Sequence, residues 1–152
     1  MLAGIIEKVS GRSFRDFLKG RVFDRLGLTN TQVAQDDAML IPNRATGYVL
    51  RDGQFGQFLN APVSAASNNG RGTSMISTVG DLMRWHCALF GARVLSPPIF
   101  QEMTSPGKLK NGERIVTQLS ESGYGCGLFL INYKGHEKIG HTGRTTGFNS
   151  VA

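Results

Sequence analysis

Near the end of the chain, GHTGRTTGFNS (residues 140–150) sets an imidazole, a hydroxyl and a glycine side by side as His141-Thr142-Gly143. A proton-donating or cationic ring beside a hydroxyl can bind a carboxylate or hold a proton near a nucleophile. The glycine that follows leaves room for another element to approach. A backbone N–H just beyond such a strand edge can act as half of an oxyanion hole. The triplet alone reads more readily as a turn after a strand, so its chemistry depends on a nucleophile and a scaffold.

The nucleophile is not evident in these residues. No G-x-S-x-G elbow occurs. Ser-x-x-Lys occurs once, as Ser105-Pro-Gly-Lys108, where Pro106-Gly107 breaks the helical turn that would bring the lysine beside the serine, so the stretch reads as a linker. His86, His136 and His141 form no metal set. The last two lie on one expected strand at an odd spacing that points them to opposite faces, and His86 beside Trp85 reads as a packed or solvated helix residue. Cys87 and Cys126 fit no metal-binding spacing; two buried free thiols are the simpler reading, with a disulfide left open. Met75, Met83 and Met103 read as core. No metal and no cofactor are expected.

The elements that would position His141 follow from periodicity. Leu2, Ile5, Ile6 and Val9 recur at helical spacing, already in stride with no capping residue ahead of them, and Gly11 closes the helix. No basic leader or cleavage site is visible, and the uncapped start of the helical pattern suggests a piece of a longer chain. Ser13-Phe-Arg-Asp16 is a capping box for a helix carrying Phe14, Phe17, Leu18 and Val22 and stopping near Gly27. Thr78-Val-Gly-Asp81 is a second capping box, ahead of Leu82, Met83, Trp85, Leu89 and Phe90. Ser96-Pro97 opens a short helix with Ile99, Phe100 and Met103 on its buried face.

Residues 29–72 hold isolated apolar pairs, prolines and Ser/Asn/Gly clusters, which predicts an irregular segment with one hairpin around Gly47 to Phe58. Beyond residue 110 the period changes. Asn111-Gly112 is a hairpin turn signal; YGCGLFLINY alternates as one strand, Lys134-Gly135 turns, HEKIGHTG returns as a second strand, and Phe148 begins another. The expected class is α+β, one partial domain over 1–152, with a mostly helical region at 1–105 (its irregular loop at 29–72) and antiparallel strands at 110–152.

Composition narrows the partners. Apolar residues at 40% and charged residues at 18% suit a soluble globular domain, and 20 glycines predict many turns or close approaches. The net charge of +6 comes from 17 scattered basic residues without a stripe on one helix, which argues against nucleic acid. No apolar run approaches the ~20 residues of a membrane span.

Taken in order, GIIEKVSGRSFRDFL, VFDRLGLTNT, ATGY at 45–48, SMISTVGDLMRW at 74–85, YGCGLFL at 124–130 and GHTGRTTGF at 140–148 resemble the serine β-lactamase and penicillin-binding-protein-like hydrolases, especially the class C β-lactamase, esterase and D-aminopeptidase branch. The resemblance covers essentially the whole chain and implies part of a β-lactamase/transpeptidase-like fold. It implies a serine that attacks an amide or ester carbonyl of a small-molecule substrate, with an acyl-enzyme released by water. The family's Ser-x-x-Lys and Tyr-x-Asn motifs have no counterpart here, so this chain alone is expected to be inactive, and a binding module that keeps only the cleft wall is the alternative. By resemblance, His141 would assist proton movement or anchor substrate, and Thr142 would hydrogen-bond it. Gly143 would line the cleft, the Arg144 N–H would supply an oxyanion donor, and Gly72, Thr73 and Ser74 would line the opposite side. Histidine stands where many relatives have lysine, and an imidazole changes charge near neutral pH. A carboxylate anchor is thereby weakened, which tilts the expectation toward ester or peptide-like substrates over β-lactams. Such proteins are often periplasmic or envelope-bound, but the chain carries no sign of its compartment. A parent sheet lacking strands at both ends would leave edges open for self-association.

Overall fold

The structure is a computed structural model that describes residues 2–34, 40–51, 56–61 and 75–152. It combines helices with antiparallel strands, the α+β class expected from the sequence, although four short strands already lie between the first helices and the helix that begins at Val79. The chain divides into two compact units, Met1–His86 with Gly143–Ser150, and Cys87–Thr142 with Val151–Ala152.

In the first unit, α1 (Leu2–Ser10) ends at Gly11, whose φ of 67° is the left-handed conformation that glycine adopts without strain. Ser13 caps α2 (Phe14–Leu18), its Oγ accepting the Asp16 N–H at 3.1 Å. The expected single helix to Gly27 then widens into a π-helical turn over Lys19–Phe23 before α3 (Asp24–Leu26). The Asp24 N–H bonds the Lys19 carbonyl, and the Lys19 ammonium reaches the Asp24 carboxylate at 2.7 Å, so backbone and side chains both close the i→i+5 spacing of a π turn. Gly27 caps the end at φ 67°. The turn rotates Phe23 inward onto Leu28 and Val33, with Phe14, Leu18, Val22, Leu26 and Trp85 around them.

Two strand pairings follow among the residues before His86. β1 (Gln32–Val33) runs antiparallel to β4 (Met75–Ile76), and β2 (Tyr48–Leu50) pairs antiparallel with β3 (Phe58–Asn60), the hairpin expected in the irregular segment. Asp81, on α4 (Val79–Phe90), receives the Thr78 cap at its N–H, 3.3 Å from Oγ1. Its carboxylate does more than a capping box requires. Fully buried, it accepts the Asn30 N–H and the Thr31 hydroxyl, both at 2.8 Å, and Arg84 at 2.9 Å. LTNT is thereby fastened to the start of α4.

In the second unit, Ala88 and Leu89 from the end of α4 are buried, and Phe90 meets Phe100 of α5 (Pro97–Met103) edge to face at 5.4 Å. The Asn111-Gly112 turn is present, with the Gly112 N–H on the Leu109 carbonyl at 2.9 Å. The run YGCGLFLINY is not one strand. β5 (Gly123–Tyr124) ends at once, the chain reverses over Gly125–Leu128 with Gly127 at φ 78°, and β6 (Phe129–Tyr133) returns antiparallel to β5. Gly127 serves the reversal and Gly125 makes room for the Met103 carbonyl, both concealed by the strand-like alternation. Lys134 and Gly135, at φ 51° and 83°, make the tight turn into β7 (His136–Gly140). Ser120 is fully buried: its hydroxyl lies between the Gly123 and Leu130 carbonyls and accepts the Leu130 N–H at 3.0 Å, tying the loop to β6.

Three further expectations change. HEKIGHTG breaks at His141 into β7 and β8 (Thr142–Thr145), and β8 pairs with β9 (Phe148–Val151). Met75 and Met83 are exposed and Met103 half-buried. Cys87 and Cys126 are free thiols, as the simpler reading had it, but exposed rather than buried.

Candidate functional site

His141 sits in the break between β7 and β8, its backbone N–H on the Ala152 carbonyl at 2.7 Å and its own carbonyl receiving the Ala152 N–H at 3.0 Å. With the backbone held on that side, the imidazole stacks on Phe129, ring centroids 4.4 Å apart and planes 13° from parallel. Nδ1 lies 2.5 Å from the Thr142 carbonyl, and Nε2 lies 3.2 Å from the Tyr124 hydroxyl. Tyr124 meets Phe129 edge to face at 5.3 Å. Ladder register brings these groups together: Tyr124 lies opposite Phe129, and Phe129 opposite Gly140, so the residue before His141 adds no side chain to that row.

Thr142, Gly143 and Arg144 follow along β8 and are all exposed. Alternation along a strand puts the Thr142 and Arg144 side chains on one face and Gly143 on the other. The element that comes close to Gly143 is β9: a Cβ there would lie 2.5 Å from the Ser150 hydroxyl. Thr73 and Ser74, with Gly72, lie outside the described residues. Ser105 and Lys108 both line a cleft of about 640 Å³ in the second unit, but the Ser105 hydroxyl donates to the Gln101 carbonyl at 2.7 Å, as befits a residue closing a helix. Among the described residues no group of three or more His, Cys, Asp or Glu could hold a metal ion, and no helix is long and apolar enough to cross a membrane.

Sequence reasoning missed Tyr124 and Phe129 as neighbours of His141. Both were visible only as members of an alternating run, and their meeting depends on the reversal at Gly125–Leu128.

Five of the six stretches quoted from the sequence meet in three contacts. LTNT and STVGD join through Asp81, ATGY and TTGF join where Gly47 abuts the Phe148 ring, and YGCGLFL and GHTG join at the aromatic stack. Helices, antiparallel strands and a His-Thr-Gly segment at a strand break define a β-lactamase/transpeptidase-like protein. The chain belongs to the β-lactamase family, whose model matches residues 1–152. It is 32% identical over 163 residues to penicillin-binding protein 4* of Bacillus subtilis (strain 168), covering 99% of this chain and 34% of that protein. It is also 32% identical over 111 residues to the mitochondrial serine β-lactamase-like protein LACTB of Homo sapiens, covering 72% of this chain and 20% of that one. The chain thus spans about a third or less of the length of these curated relatives. Among solved structures, the octameric penicillin-binding protein homologue from Pyrococcus abyssi superposes with a TM-score of 0.77 at 23% identity, over 99% of this chain and 32% of that one, a likeness of fold. The D-amino acid amidase from Ochrobactrum anthropi SV3 superposes with a TM-score of 0.70 at 26% identity, over 95% of this chain and 41% of that one. Members of the family are serine hydrolases acting on amides and esters.

Proposed function

We propose that this chain forms the His-Thr-Gly wall of a serine-hydrolase cleft that opens amide or ester bonds of small molecules through an acyl-enzyme. The observation that carries the reading is the exposed His141-Thr142-Gly143 segment, at a strand break, inside a chain that the family model matches from end to end. In this reading His141 handles a proton or holds the substrate, and the Thr142 hydroxyl hydrogen-bonds the substrate. Gly143 keeps the strand low, and the Arg144 N–H faces the carbonyl oxygen as it gains charge. Thr73 and Ser74 contribute to the facing side. The attacking serine and its lysine are not among these residues, so the wall acts in a site completed by groups outside the 152 residues, and the chain alone hydrolyses nothing.

The D-amino acid amidase relative makes amides of small amino acids the first substrates to try, and the histidine in the motif favours these and simple esters over β-lactams. The test is hydrolysis of p-nitrophenyl acetate, D-phenylalanine amide and nitrocefin by the isolated chain and by the complete gene product. The reading expects turnover only from the complete product, with loss of about a hundredfold or more in His141→Ala. A complete product that has serine at the Ser-x-x-Lys position but stays inactive on all three sinks it, in favour of a non-catalytic binding module.

A further inference from the structure

The imidazole of His141 has both nitrogens engaged, and the chemistry of the partners fixes which one carries the proton. A carbonyl oxygen can only accept, so Nδ1, 2.5 Å from the Thr142 carbonyl, is the N–H nitrogen of the neutral ring. Nε2 then holds the lone pair and accepts from the Tyr124 hydroxyl at 3.2 Å. Phe129 restrains the same ring by stacking at 4.4 Å, and Tyr124 is set against Phe129 at 5.3 Å, so the three rings brace one another. Tyr124 is itself anchored on both sides of its peptide. Its N–H bonds the Ile115 carbonyl at 2.9 Å, and its carbonyl receives the Gly107 N–H at 2.9 Å. The hydroxyl therefore approaches Nε2 from a fixed platform.

We infer that Tyr124 is a positioning residue for His141: its hydroxyl, with the Phe129 stack, holds the imidazole as the Nδ1–H tautomer with Nε2 as the acceptor. The proton-handling nitrogen of the His-Thr-Gly wall is then Nε2, and its lone pair is aimed by Tyr124. The geometric part stands alone; its consequence for catalysis rests on the function proposed above. Removing the hydroxyl while keeping the ring leaves the Phe129 contact in place and frees Nε2 to take the proton and turn to water. A group whose hydrogen bond orients a reacting ring costs about tenfold to a hundredfold when lost, by misplacement rather than by weaker binding.

The test is the nitrogen spectrum of the full 152-residue chain, with ¹⁵N-labelled histidine, under conditions where the ring is neutral. His141 is assigned by its disappearance in His141→Asn. The wild type is expected to show a protonated-type Nδ1 and a bare-type Nε2. Tyr124→Phe is expected to show at least a severalfold rise in the Nε2–H form, with His86 and His136 unchanged. A wild-type His141 that is mainly Nε2–H overturns the inference, and so does a tautomer ratio indifferent to Tyr124→Phe. If that variant does not fold, the wild-type spectrum alone decides. In the complete gene product, Tyr124→Phe should lower kcat about tenfold or more on the best ester while KM stays within about twofold. Correct tautomers with no hydrolysis by the wild-type product would remove the proposed function and leave the positioning of His141 intact. Correct tautomers with an unchanged kcat would overturn the catalytic consequence.

Discussion

At the scale of single residues, two fully buried polar groups do structural work that their sequence positions do not advertise. Asp81 answers three donors from two segments, one of them the exposed Arg84. Asp81→Ala removes the acceptor of the Asn30 N–H and leaves the Thr31 hydroxyl only the Ser77 Oγ at 2.8 Å, and the expected loss is about 2–3 kcal/mol of stability in urea unfolding. Arg84→Ala, which removes only the partner that water can replace, should cost less than about 1 kcal/mol. Equal losses from the two variants would contradict this assignment. Ser120→Ala should cost about 1–3 kcal/mol, because the Leu130 N–H loses its partner in a site closed to water. Reading Thr78-Val-Gly-Asp81 as a capping box located the helix start correctly. It could not show that the carboxylate reaches back to residues 30 and 31, since nothing local encodes a contact across that separation.

At the scale of elements, glycines separate two physical demands. Gly127 has φ 78° with open space where a Cβ would go, so Gly127→Ala carries backbone strain alone, about 1 kcal/mol. Gly147, at φ 79° in the turn between β8 and β9, has both strain and crowding. A Cβ there would run into Ala61 and lie 3.0 Å from the Tyr48 nitrogen. Gly147→Ala should therefore cost about 2–4 kcal/mol and loosen the packing of that turn on the β2–β3 hairpin. Thermal unfolding of the two variants side by side checks the order, and a milder effect at Gly147 than at Gly127 would refute it. The strand pattern of YGCGLFLINY misled for a related reason. Alternation reports which faces are apolar, whereas the reversal at Gly125–Leu128 is held by positive φ at Gly127 and by a Gly125 N–H to Leu128 carbonyl bond of 2.9 Å.

At the scale of the whole chain, apolar surface stands uncovered among the described residues. On α1, Leu2 and Val9 are 77% and 83% exposed, so the face that the helical period marks as buried is turned to solvent. Strand β7 ends its sheet with an edge available for pairing, and β9 ends another. Self-association of the isolated chain is the expected outcome. Size-exclusion chromatography should show elution moving earlier as concentration rises, and Leu2→Lys with Val9→Lys should reduce the shift. A constant monomer volume across the concentration range would argue against it.

The sequence by itself determined the α+β class, the helix starts at Ser13 and Thr78, the turns at Asn111-Gly112 and Lys134-Gly135, and, through six ordered stretches, the β-lactamase family. These rest on local signals: capping residues, φ preferences and short-range periodicity act within a turn or two of chain. Tertiary structure decided what local signals cannot carry: the burial of Asp81 and Ser120, the widening into a π turn where Lys19 meets Asp24, and the exposure of the α1 face. It also decided the surroundings of His141. The motif was legible as three letters, but the tyrosine hydroxyl at its Nε2 and the phenylalanine stacked on its ring are brought alongside by strand register and a chain reversal. Hydrogen bonding and ring stacking fall off within a few ångströms, so only the folded chain specifies which groups come that close.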